Sequence, residues 1–71
     1  MLCILTALKA ESEPIINFFK LRKDSSFDFP VFSNNDIILV AIGVGGKNIP
    51  RRITTVHNQF KRFNLIFINI G

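Results

Sequence analysis

Seventy-one residues allow one small domain at most, and a single core of that size is marginal without a staple. Cys3 is the single cysteine, which excludes an internal disulfide, and no Cys/His cluster has the spacing of a metal site. A hydrophobic share of 48%, with eight Phe, excludes a disordered chain, and the net charge of +4 raises the question of an anionic partner.

Residues 2–7, LCILTA, are apolar at nearly every position, the pattern of a strand buried on both faces of a parallel sheet. A helix comes next, with Ser12 as N-cap and Pro14 in its first turn. Ile15, Ile16, Phe18 and Phe19 give it a broad apolar face up to Leu21, and Lys20, Arg22 and Lys23 crowd its last turn. After a loop at 24–26, FDFPVF at 27–32 reads as a short strand that Pro30 confines to an edge or an irregular position. Ser33, Asn34, Asn35 and Asp36 form a turn that pairs this strand as a hairpin with IILVAIG at 37–43.

The second helix is the clearest element. Asn48 is its N-cap, Pro50 lies in its first turn, and Ile49, Ile53, Val56, Phe60 and Phe63 recur at spacings of four and three. Arg51, Arg52, Asn58 and Arg62 lie largely off that stripe, and Asn64 closes the helix. LIFINIG at 65–71 is a third buried-type strand running into a glycine. The expected order is β-α-β-β-α-β: an α/β fold with a partial, mostly parallel sheet and a central hairpin, forming a single partial domain over residues 1–71. Ligands of such sheets bind beyond the carboxyl ends of the strands, so the third strand stops where a binding loop should begin. No leader of the secretory type is visible and no apolar run is long enough to span a bilayer. A cytoplasmic setting without membrane contact is the expectation. The basic residues spread over two helices and the Phe residues fall at core-like positions, which argues against nucleic acid.

Two features stand out chemically. Gly43, Val44, Gly45 and Gly46 join a buried strand to a helix start, where backbone can approach a ligand and free N–H groups favour anions or polar edges. The spacing matches neither a P-loop nor a full dinucleotide fingerprint, and a tight turn needing positive φ explains the same glycines. Glu11, just beyond the first strand, is placed at the same sheet edge, where it can position or deprotonate a water or simply favour the helix dipole. His57 has no Ser, Cys or Asp partner at useful spacing, and Cys3 falls in a buried strand where a thiol is inert.

Taken in order, ILTALKAESEPI, IILVAIGVGGKNIPRRI and LIFINIG resemble the opening of the nucleoside phosphorylase superfamily, most closely its 5'-methylthioadenosine/S-adenosylhomocysteine nucleosidase branch. The resemblance covers nearly the whole chain. It departs at Ile70, where a Thr is usual, at the extra Gly46, and at Lys9 and Ala10, where acids are frequent. It implies a three-layer nucleosidase-like fold and cleavage of an N-glycosidic bond in methionine salvage, without a cofactor. It further implies that Glu11 holds the attacking water and that Ala7 lies beside the base and ribose pocket. Gly43, Val44 and Gly45 would line the sugar or 5'-substituent side, and Gly71 would open the purine-side loop. Family members are much longer, and their later portion holds the ribose-binding Met-Glu segment and the Asp that protonates the purine. The resemblance therefore implies a truncated or split nucleosidase, inactive alone, that takes a purine nucleoside only when completed. The alternatives are a non-catalytic subunit completed by a separate chain, in a homo- or hetero-oligomer, and a small basic binding domain.

Overall fold

The computed structural model of the chain describes residues 1–7, 9–43 and 48–70. The apolar runs become strands and the amphipathic runs helices, in the order β1 (Leu2–Thr6), α1 (Lys9–Phe19), β2 (Arg22–Lys23), β3 (Val31–Ser33), β4 (Ile37–Ala41), α2 (Ile49–Gln59) and β5 (Ile66–Asn69). All five strands form one sheet of order β2-β3-β4-β1-β5. β1 pairs parallel with β4 and with β5, whereas β3 pairs antiparallel with β2 and β4. The sheet is thus mixed, not mostly parallel. Arg22 and Lys23 add a short strand absent from the expected order.

The two faces separate by the period of the strands. Cys3, Leu5, Val31, Ile38, Val40 and Ile42 join Phe29 and Val56 in one cluster, against which Ile49, Ile53 and Phe60 also pack. Ile4, Phe32, Ile37 and Leu39 join Leu21 in the other, covered by Ile15 and Ile16. One helix therefore covers each face. β4, second in chain order among the long strands, is buried throughout.

Several elements differ from the sequence expectation. α1 starts at Lys9, so Ser12 is not its N-cap and Pro14 lies inside the helix. Only Ile15 and Ile16 of its apolar residues pack inward; Phe18 is 79% exposed and Phe19 also faces solvent. α1 ends at Phe19 with no basic residue in its last turn. Lys20 turns left-handed with φ 55°, and the Leu21 N–H donates to the Ile16 carbonyl at 2.9 Å. That bond, with both side chains in one cluster, is the Schellman closure usually built on glycine. Lys20, Arg22 and Lys23 thus leave the helix altogether.

The strand expected at 27–32 forms only at Val31–Ser33, because Pro30 cannot donate to a ladder. Its hairpin with β4 forms as expected. Asn34 Oδ1 closes the turn by accepting from the N–H groups of Asp36 and Ile37, both at 2.8 Å. α2 has Pro50 in its first turn, and Asn48 precedes it without a side-chain capping bond. The helix ends at Gln59, so Phe63 falls beyond it and is exposed, and Asn64 is not its terminus. β5 departs most. All four of its residues are exposed, because it occupies an edge of the sheet with β1 on one side only.

Candidate functional site at the carboxyl edge of the parallel strands

β1 and β4 run side by side with Thr6 opposite Ala41, so both chains leave the sheet at the same end. The Ile42 N–H donates to the Thr6 carbonyl at 2.8 Å, and the Ile70 N–H to the Leu5 carbonyl at 2.9 Å. These bonds carry the parallel pairing just past the formal strand ends. The segments after β1, β4 and β5 consequently gather at one edge, the position at which open α/β sheets bind ligands.

Of the residues expected to form a site, the structure brings three to this edge. Ala7 is half-buried in the bend after β1, Glu11 is exposed in the first turn of α1, and Gly43 follows β4. Gly43 has φ 86°, a conformation that side chains with a Cβ rarely adopt. Val44, Gly45 and Gly71 lie outside the described residues. Glu11 makes no hydrogen bond or ion pair with the described residues, so its carboxylate projects to solvent at the edge.

Two further features sit beneath this edge. Thr6 and Ser12 are fully buried, with their hydroxyl oxygens 2.7 Å apart, and Thr6 Oγ1 also reaches the Val40 carbonyl at 3.5 Å. This bond ties the start of α1, and with it Glu11, to the end of β1. Arg52 of α2 lies beneath the end of β4: its Nη1 donates to the carbonyls of Ile42 at 3.0 Å and Ala41 at 3.4 Å. Its guanidinium also covers the Phe29 ring at 5.3 Å from the centroid. A Cβ on Gly43 would come within 3.2 Å of Nη1, so Gly43 and the arginine fit closely.

Sequence reasoning misses both features. A Ser two residues before a Pro imitates a helix start, which makes Ser12 read as a cap. Arg52 reads as lying off the apolar stripe, yet Ile49, Arg52, Ile53 and Val56 follow the i, i+3, i+4, i+7 spacing of a single helix face. That spacing is the available signal.

The remaining chemistry-bearing side chains lie elsewhere. His57 is exposed in the last turn of α2, and Cys3 is fully buried with its thiol pushed up to about 11 by burial. Among the described residues no group of three or more His, Cys, Asp or Glu side chains could hold a metal ion. At the opposite end of the sheet a cavity of about 540 Å³ is lined by Lys20, Arg22, Lys23, Asp24, Ser33 and Asn34, among others. No helix among the described residues is long and apolar enough to cross a membrane.

The chain is a small α/β protein whose described residues form a five-stranded mixed sheet and two helices. Comparison with protein-family models, with curated proteins and with solved structures finds no match to it.

Proposed function

We propose that this chain is the N-terminal portion of a cytoplasmic purine nucleosidase of the nucleoside phosphorylase type. In this reading it is one part of a split or truncated three-layer enzyme acting on 5'-methylthioadenosine or S-adenosylhomocysteine. The observation that carries the reading is the convergence of Ala7, Glu11 and Gly43 at the carboxyl edge of the paired strands β1 and β4. Glu11 is the residue that activates water. Its exposure leaves it free to bind a solvent molecule, and the buried Thr6–Ser12 bond fixes the helix turn that carries it. Gly43 supplies backbone without a side chain where the sugar approaches, and Arg52 holds the end of β4 just before it.

Breaking an N-glycosidic bond requires a positioned water on one side of the sugar and a proton for the leaving purine on the other. The three residues serve the water side. The leaving-group acid and the ribose clamp come from outside these 71 residues. A general acid contributes ~10²–10⁴-fold, so the chain alone is inactive. Completion by a separate chain is the second reading.

The test assays adenine release from 5'-methylthioadenosine by the chain alone and after co-expression with the polypeptide encoded directly downstream. The expectation is no release alone and release on co-expression that falls by ~10²-fold or more with Glu11→Gln. Release by the chain alone that Glu11→Gln reduces would make it a minimal enzyme instead. A downstream sequence without a Ser-Ala-Gly start, a Met-Glu segment and a late Asp would sink the split-enzyme reading.

A further inference from the structure

The two edges of the sheet are built differently. β2, at one edge, is two residues long and consists of Arg22 and Lys23, both exposed. A short charged strand is a standard protection against adventitious pairing. β5, at the other edge, has none. From Phe63 to Ile70 the chain carries no charge, and Ile66, Phe67, Ile68 and Ile70 are 64, 39, 43 and 52% exposed.

We infer that β5 is the interface through which two copies of this chain join, antiparallel about a two-fold axis at Ile68, into one continuous sheet. The inference does not rest on the nucleosidase reading.

The backbone restricts the register. The N–H groups of Ile66 and Ile70 donate to β1, at Met1 and Leu5, so residues 66, 68 and 70 turn their backbone groups inward. Phe67 and Asn69, between them, turn theirs to the open side. With Ile68 opposite its own copy, Phe67 faces Asn69 of the second copy, and the two exchange both N–H···O bonds. Ile68 becomes a non-hydrogen-bonded pair, in which side chains approach most closely. Of the centres along this strand, Ile68 alone pairs all three isoleucines of one face with one another.

The side chains agree with this register. Ile66 and Ile68 lie opposite Leu2 and Ile4, on the face that α1 covers. The sequence Ile66-Phe67-Ile68-Asn69-Ile70 is nearly symmetric about its centre. The axis therefore sets Ile66 against Ile70 and Ile68 against Ile68, giving an unbroken row of isoleucines on that face. No charged residue meets a like charge across the axis. Because the outer edges of the joined sheet would both be the protected β2, the assembly closes at two copies instead of growing.

The experiment measures the solution mass of the 71-residue chain by light scattering after size exclusion, with two variants. The expected mass is twice the 8.1 kDa of the chain. Ile68→Lys places two ammonium groups face to face and should weaken dimerisation at least about tenfold, with an unchanged circular dichroism spectrum. Ile68→Cys should form a disulfide between copies on mild oxidation, while the parent chain, whose Cys3 is buried, does not. A chain that stays monomeric up to about 0.1 mM would overturn the inference. So would a dimer insensitive to Ile68→Lys, which would place the contact elsewhere, for example at Phe18. A monomer that joins only a different, strand-donating polypeptide would also overturn it.

Discussion

Cys3 lies at 0% exposure between β4 and β5, and burial raises its thiol from 9.0 to about 11. Below 9 the thiol is neutral whether the chain is folded or not, and it contributes no pH dependence. Between 9 and about 11 the unfolded chain loses the proton and the folded chain keeps it, so stability falls as pH rises through that window. Urea midpoints measured on either side of the window should fall more steeply for the parent than for Cys3→Ala, which has no thiol to ionise. Equal slopes would show that the thiol is not held neutral by burial. The same burial keeps the thiol from reacting, as its place in an apolar strand suggests. Thr6 and Ser12 represent the opposite case. Two hydroxyls are buried here and bond each other, and Thr6 also reaches the Val40 carbonyl, so removing either forfeits one bond of the group, worth about 0.5–1.5 kcal/mol.

Among the elements, α1 carries a local strain. Lys20 occupies the left-handed position that closes the helix, where a Cβ costs roughly 1–2 kcal/mol. Lys20→Gly should therefore raise stability by about 0.5–1 kcal/mol, after the entropy that glycine gains in the unfolded chain is subtracted. The measurement is the urea midpoint at constant slope; a lower midpoint would mean that the lysine side chain contributes more than its backbone costs. This element also marks where sequence reading is strong and where it is weak. β1, β4 and the body of α2 are legible because continuous apolar runs and a four-and-three stripe mark them, although the stripe runs past the helix end at Gln59 and leaves Phe63 outside. The ends of α1 are not: Ser12 and Pro14 imitate a helix start, and nothing local signals that Lys20 will turn left-handed. β5 is legible as a strand but not as an edge, since its position depends on which neighbours the other strands choose. The carboxyl-edge grouping of Ala7, Glu11 and Gly43 is foreseeable from strand direction alone, whereas Arg52 beneath it requires three-dimensional packing.

For the whole molecule, the order of strands in space is not their order in the chain, and this has a consequence in time. β1 comes first in the sequence yet lies in the interior of the sheet, pairing Leu2 with Ile37 on one side and with Ile66 on the other. The hairpin of β3 and β4, by contrast, joins segments separated by a three-residue turn. Closing long loops before their contacts form is entropically slow. The hairpin is therefore the natural nucleus, β1 docks onto it next, and β5 completes the sheet last. A substitution in the nucleus slows folding, and one in a late element accelerates unfolding. In the dilute chain Ile38→Val should lower the refolding rate, while Ile68→Val should act on the unfolding arm of a chevron plot. If instead Ile68→Val slowed refolding as much as Ile38→Val, β5 would already be in place at the barrier. With this order the first strand waits for the second half of the sheet. Until β5 arrives, β1 itself is the open edge, and Cys3, Ile4 and Leu5 are the residues exposed to wrong partners.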